Sequence, residues 1–178
     1  GSGTQTNMNA NEVIANFAIK ILKGKIGSKS PIHPNDHVNL SQSSNDTFPT
    51  VMHIATNELT DNKLIPAVKN LINELKLKSK SYAKIIKIGR THTQDATPLT
   101  MGDEFSGYLT QIQNNYERLI LAKKELNYLA QGGTAVGSGI NAPKNFDKIF
   151  CKYLNKMTKN KYRPAINKFE VIANHDSL

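Results

Sequence analysis

A chain of 178 residues has room for one domain with a sizeable core and is short for two. Its formal charge of +9 comes from lysines scattered among other residues, as in Glu74-Leu75-Lys76-Leu77-Lys78-Ser79-Lys80; they do not alternate with aromatics, which favours a solvated surface over a nucleic-acid groove. No apolar run is long enough to cross a membrane, and the single cysteine, Cys151, excludes an internal disulfide framework and a cysteine-only metal site. The polar start from Gly1 to Met8 carries no secretory signal, so the expectation is a reducing, cytoplasmic setting. Cys151 sits among Phe146, Ile149, Phe150 and Leu154 and reads as core packing, not a nucleophile.

Gly1-Ser2-Gly3-Thr4-Gln5-Thr6-Asn7-Met8-Asn9 reads as a linker, or as a loop that holds an anion with its hydroxyls and close backbone approach. The spacing of Ala10, Val13, Ile14, Phe17, Ala18 and Ile21 predicts a helix from Asn9 or Asn11, with Asn9 as cap and Glu12 three residues on. Gly24 to Ser30 breaks it. Ile32-His33-Pro34-Asn35-Asp36-His37-Val38-Asn39 predicts a turn. Its His33, Asp36 and His37 match no common zinc spacing, so no metal is expected there. Ser41-Gln42-Ser43-Ser44-Asn45-Asp46-Thr47-Phe48-Pro49 leads into a second helix, with Asp46 or Thr47 as cap, Pro49 in the first turn and Val51, Ile54, Ala55 and Leu59 as its apolar stripe. Such a start favours an anion through its free N–H groups, though a generous cap explains it equally. Asp61-Asn62 punctuates, and Leu64, Ala67, Val68, Leu71, Ile72 and Leu75 predict a third helix that fades before Tyr82.

A short apolar run, Ile85-Ile86-Lys87-Ile88, then leads into Gly89-Arg90-Thr91-His92-Thr93-Gln94-Asp95-Ala96-Thr97-Pro98. Ten residues here hold an imidazole able to exchange a proton near neutral pH, a guanidinium, a carboxylate and three threonine hydroxyls. The plain alternative is a polar turn whose groups satisfy one another, Asp95 with Arg90. Beyond it, Thr100 and Asp103 form a capping pair, and Met101, Phe105, Tyr108, Leu109, Ile112, Leu119, Leu126 and Leu129 mark one helix of roughly 40 Å at ~1.5 Å per residue. That length exceeds what a small globule needs and predicts a bundle that shares its cover with partner chains. Gln131-Gly132-Gly133-Thr134-Ala135-Val136-Gly137-Ser138-Gly139 reads as a flexible loop without the spacing of a dinucleotide fingerprint. Pro143 and Asn145 start a last helix with Phe146, Ile149, Phe150, Tyr153, Leu154 and Met157 inward; the tail from Thr158 shows no clear period and reads as a cut chain.

Taken together, Gly1 to Asn9, His33-Pro34-Asn35-Asp36, Ser43-Ser44-Asn45-Asp46-Thr47-Phe48-Pro49-Thr50, Gly89-Arg90-Thr91-His92-Thr93-Gln94-Asp95 and Gln131 to Asn141 resemble the class II fumarases of the fumarase/aspartase superfamily, in the right order and over essentially the whole chain. Aspartate ammonia-lyases share the architecture but resemble Gly-Arg-Thr-Gln where this chain has His92, and Ser-Thr-Asn-Asp where it has Ser43-Ser44-Asn45-Asp46. The resemblance implies an all-α, elongated helical bundle assembling with partner subunits, a homotetramer in the family. It implies reversible hydration of fumarate to malate in the tricarboxylic acid cycle, with no metal or organic cofactor and no nucleic-acid or membrane partner. It assigns catalysis to His92 and the substrate carboxylates to Ser2, Thr4, Ser43, Ser44, Asn45 and Thr91. A second anion site maps to His33, Asn35 and Asp36, where the family arginine falls on Ser30 with Lys29 beside it. The family loop Gly-Ser-Ser-x-Met-Pro-x-Lys-x-Asn-Pro, whose serine is the base, occurs nowhere in these 178 residues. Residues 1–178 therefore read as the front and middle of the central helical domain, without the family's N- and C-terminal domains and inactive alone. The alternatives are an aspartate ammonia-lyase and a non-catalytic self-associating bundle.

Overall fold

A computed structural model describes residues 3–178. The chain falls into two compact units: the residues up to Thr56 together with Glu125–Leu178, and the segment Asn57–Lys124. Six helices carry the fold: α1 (Thr4–Ile21), α2 (Ser44–Leu59), α3 (Ile65–Ser81), α4 (Met101–Ala122), α5 (Phe146–Thr158) and α6 (Lys168–Ala173). Two small sheets accompany them. β1 (Ile86–Thr91) and β2 (Gln94–Thr100) form an antiparallel hairpin, and β3 (Tyr128–Leu129) and β4 (Arg163–Pro164) pair in parallel over two residues. The helical class predicted from periodicity stands.

In the first unit the core is small. Leu129, Cys151 and Tyr162 are buried, and Ile54, Phe150 and Leu154 pack against them. Burial pushes the Cys151 thiol up to about 11, which keeps it protonated and suits it to packing. On α5 the inward face is thus Phe150, Cys151 and Leu154, while Ile149, Tyr153 and Met157, expected inside, stand exposed. α1 and α2 are turned the same unexpected way. α1 buries Asn11, Ala15 and Ile19 and exposes Val13, Ile14, Phe17 and Ile21. α2 buries the polar line Asp46, Thr50, His53 and Asn57 and exposes Val51 and Leu59. Their apolar stripes are real, but, Ile54 on α2 apart, the residues Val13, Ile14, Phe17, Ile21, Val51 and Leu59 stand outside this chain's own core.

In the second unit α3 packs along α4, with Tyr82 and Phe105 edge to face at 5.3 Å. Lys87 on β1 pairs with Glu104 on α4, which ties the hairpin to the helix it leads into. The start of α4 is the predicted one. The Thr100 hydroxyl accepts the Asp103 N–H at 3.0 Å, and the Asp103 carboxylate accepts the Thr100 N–H at 2.9 Å, a reciprocal box.

Several boundaries differ from expectation. α1 starts at Thr4, five residues before Asn9, because tertiary bonds hold its first turns: Asn7 Nδ2 reaches Asn39 Oδ1 at 3.2 Å, and Asn11 Nδ2 reaches the same oxygen. α2 starts at Ser44, and its cap is Ser43 in place of Asp46 or Thr47. The Ser43 hydroxyl accepts the Asn45 N–H, and Asp46 accepts the Ser43 N–H at 2.9 Å. Asp61-Asn62 does not break the chain: a single π-helical turn, Thr60–Leu64, links α2 to α3. α4 ends at Ala122, not Leu129; Leu126 and Leu129 continue its period, but Leu126 is buried within a 3₁₀ turn and Leu129, beyond it, belongs to the core of the first unit. The tail holds the short helix α6, which no sequence period announced.

Candidate functional site

The polar corner is the tip of the β1–β2 hairpin. Thr91 pairs with Gln94, leaving His92 and Thr93 as a two-residue turn with φ of 51° and 62°, the pair of left-handed conformations of a type I′ turn. Asn and Gly are the usual occupants. His tolerates the conformation, whereas for a β-branched threonine it is strained. One residue back the register slips: Gly89 on β1 stands opposite Ala96 and Thr97 together, a bulge that increases twist and re-aims the tip. A Cβ at Gly89 would lie 2.7 Å from the Thr97 carbonyl oxygen, so only glycine fits there. Thr91, His92 and Thr93 are exposed, and Arg90 Nε meets Asp95 Oδ1 at 3.3 Å, the internal pairing that a plain turn would show. The hairpin therefore presents Thr91 and His92 outward and spends its charged pair on itself.

Of the other predicted residues, Asn35, Asp36 and Ser43 of the first unit line one open groove of about 820 Å³. Its walls are the turn carrying Asn35 and Asp36, the run Leu40 to Ser43, and the Gly-rich loop with Thr134, Ser138 and Asn141. Asn35 and Asp36, expected at a second anion site, thus share one groove with Ser43, expected at the substrate carboxylates. His33 stands just behind them. Its Nδ1 lies 3.1 Å from the Asp36 backbone nitrogen, as an acceptor for that N–H, and 3.2 Å from the Asp36 carboxylate. The His33 N–H in turn donates to His37 Nδ1 at 2.7 Å.

Two of the expected carboxylate holders are already engaged. The Ser44 hydroxyl accepts Asn7 Nδ2 at 2.9 Å, and Asn45 Nδ2 donates to the Ala135 carbonyl at 2.8 Å. Thr4 is exposed in the first turn of α1, and Ser2 lies outside the described residues. Thr91 and His92 belong to the second unit, so the residues expected in one site are divided between the two units.

Asp46 holds the groove together and was read from sequence only as a candidate cap. It is fully buried. Its carboxylate accepts the N–H groups of Ser43 and Gly132, both at 2.9 Å, and that of Thr134 at 2.8 Å. Burial pushes its pKa up from the usual carboxylate value, against the pull of those three N–H donors. The loop read as flexible is pinned by these bonds: Gln131 to Thr134 are buried, and Gln131 Nε2 adds weak bonds to Gln42 and Thr47. His53 was missed altogether. It is buried on α2, its Nδ1 lies 2.9 Å from the Tyr128 carbonyl and its Nε2 3.1 Å from the Ser177 hydroxyl, and burial lowers its affinity for a proton. A histidine between apolar neighbours gives no periodic signal, since it fits a buried face or a wet one. Among the described residues no cluster of three or more His, Cys, Asp or Glu side chains is arranged to hold a metal ion.

Comparison with known proteins bears on this arrangement. The family model described as Lyase matches residues 1–178. Fumarate hydratase class II 2 of Bradyrhizobium diazoefficiens is 58% identical over 177 residues, which cover 99% of this chain and 37% of that protein. The mitochondrial fumarate hydratase of Saccharomyces cerevisiae is 58% identical over 178 residues, 100% of this chain and 36% of that protein. Among solved structures, a recombinant class II fumarase from Schistosoma mansoni matches with a TM-score of 0.93 at 43% identity, covering 99% of this chain and 40% of that one. A fumarate lyase:delta crystallin from Brucella melitensis, bound to cobalt, matches at 0.89 and 38% identity, covering 97% and 37%. The chain spans a little over a third of the length of the curated relatives it matches.

Proposed function

The chain belongs to the lyase family, and from that premise we propose that it forms part of a fumarate hydratase, which interconverts fumarate and malate by adding and removing water across the carbon–carbon double bond. The observation that carries the reading is the identity to fumarate hydratases along the whole chain, joined to the presence of His92, rather than glutamine, after Gly89-Arg90-Thr91.

The chemistry divides among named groups. Removal of the C–H proton from malate leaves a carbanion whose charge spreads into the neighbouring carboxylate, so donors aimed at that carboxylate lower the barrier most. Ser2, Thr4, Ser43, Ser44, Asn45 and Thr91 are the donors we assign to the substrate carboxylates. His92 activates or orients the water and takes up or returns its proton, a role an imidazole fills near neutral pH. His33, Asn35 and Asp36 form a second anion site beside the first. We assign the complete site to a homotetramer whose subunits contribute different segments, as the family resemblance implies. None of the helices is long and apolar enough to cross a membrane among the described residues. We place the activity in the cytoplasm, and imaging of a tagged protein decides between that and the mitochondrion named for the yeast relative.

The test is a hydration assay on the full-length protein, following the loss of fumarate, with L-aspartate offered in parallel. Malate formation without ammonia release from aspartate is the expected result. Ammonia release with no hydration replaces this reading with an ammonia-lyase, and neither activity leaves a non-catalytic bundle.

A further inference from the structure

The Gly-rich loop forms one wall of the groove opposite Asn35 and Ser43, yet none of the site roles given above falls on it. We propose that this wall contacts the ligand, with the Ser138 hydroxyl and the Asn141 amide reading the hydroxyl group that distinguishes a hydroxy acid from its unsaturated partner. The proposal rests on the fumarate hydratase reading and names which side chains of that site tell malate from fumarate.

Three observations carry it. First, the polar groups around the groove's root are bonded within the chain, while those of the loop's rim are not. The Asp46 carboxylate accepts the Ser43, Gly132 and Thr134 N–H groups, Asn45 Nδ2 donates one bond to the Ala135 carbonyl, and Thr134 Oγ1 donates to the Gly133 carbonyl. Ser138 and Asn141 line the groove, and among the described residues their side chains make no hydrogen bond. Second, their position relative to Ser43 is fixed, not adventitious. One buried carboxylate bonds both the first residue of the helix cap and the root of the loop, so the two walls form one piece. Third, the rim holds a defined backbone shape. Gly137, Gly139 and Asn141 have φ of 106°, 72° and 70°, with the Gly137 and Gly139 N–H groups both turned back to the Gly133 carbonyl at 3.0 Å. Left-handed backbone at alternating positions, carried by residues that accept it, fixes where Ser138 and Asn141 sit on the rim.

The chemistry of the wall selects the ligand class. The rim offers an alcohol and an amide, both of which donate and accept. A malate hydroxyl needs both functions, whereas fumarate carries no hydroxyl and presents only carboxylate oxygens. Ser138 and Asn141 together supply both the donor and the acceptor that the hydroxyl uses, and the carboxylates, which need donors alone, fall to the groups already assigned.

The experiment titrates L-malate and, separately, fumarate into the 178-residue chain, following amide shifts by NMR, for the native sequence and for a Ser138→Ala, Asn141→Gly double variant. Glycine keeps the left-handed backbone at 141, and the thermal midpoint checks that the fold survives. Malate is expected to perturb residues on both walls of the groove, to bind about tenfold more weakly to the variant, and fumarate to lose less than twofold. Equal losses for the two acids, unchanged malate binding, or malate shifts confined to the Asn35–Ser43 wall overturns the proposal. Hydration by the full-length protein is measured alongside. Activity with no discrimination by the loop sinks this inference alone, and absent activity sinks the functional reading while leaving the binding comparison to decide this one.

Discussion

Two residues decide how the hairpin tip works, and they pull in different directions. Thr93 is strained at φ 62° and contributes only a bond from its hydroxyl to the His92 carbonyl, whereas His92 tolerates its own φ of 51° and points its imidazole outward. That arrangement keeps an exposed imidazole at the tip of the hairpin, where a turn of ordinary composition would carry Asn-Gly. In the full-length protein His92→Asn, which suits the turn equally, is expected to lower turnover by ~10²–10⁴-fold with a smaller change in KM. Unchanged turnover would remove His92 from the mechanism. Asp46 was the harder residue to read. Its partners Gly132 and Thr134 lie 86 and 88 positions away, so nothing local in Ser43-Ser44-Asn45-Asp46 shows more than a cap. The Thr100–Asp103 box, by contrast, closes over three residues and was legible from sequence alone. Replacing Asp46 by alanine leaves three N–H donors without their acceptor and should cost about 3 kcal/mol in urea unfolding of the 178-residue chain; a loss under about 0.5 kcal/mol would show that water substitutes for the carboxylate.

At the scale of the element, periodicity located the helices and mis-assigned their faces. Val13, Ile14, Phe17 and Ile21 were found as a stripe by spacing, and the stripe is there, but each is more than half exposed. Spacing shows that a face is apolar; it does not show whose core it enters. α2 makes the point more sharply, because the face it buries is Asp46, Thr50, His53 and Asn57. Apolar stripes left outside predict association. Sedimentation of the 178-residue chain should show oligomers that dissociate when Phe17 and Ile21 are both changed to glutamate, and a clean monomer at high concentration would count against it. His53 gives α2 a pH signature. Burial lowers its proton affinity in the folded state below the ordinary value of 6.5, outweighing the Tyr128 carbonyl and Glu170, which favour the charged form; His175 adds a further opposing charge. With the folded value below the unfolded one, the unfolded chain binds the extra proton, so stability is complete above about 6.5 and falls as pH drops through that window. The urea midpoint should fall with acidification from pH 7 more steeply in the native chain than in His53→Gln. Parallel curves would mean that another group controls the acid limb, and Asp46, whose shift has the opposite sign, would not produce that fall.

For the whole molecule the question is how much of a reaction 178 residues can perform. The Ser43–Asn45 run and the groove belong to one compact unit, and Thr91 and His92 to the other. The proposed carboxylate donors and an imidazole are therefore present in the sequence, but the proposed reaction also needs an acceptor for the proton that leaves carbon. Candidates within the chain are poor. Cys151 is buried with its thiol pushed up to about 11, His53 is enclosed between Tyr128 and Ser177, and Asp46 is saturated by backbone donors. The serine loop that supplies the base in class II fumarases has no counterpart among these residues. Positioned donors stabilise the carbanion once formed and cannot remove the proton that forms it. The 178-residue chain by itself is thus expected to bind the dicarboxylate and not to turn it over, while the full-length protein does both. Malate production by the isolated chain, abolished by His92→Asn and so not due to a contaminant, would show that a base exists within these residues and would send the search back to the groove beside Asp36.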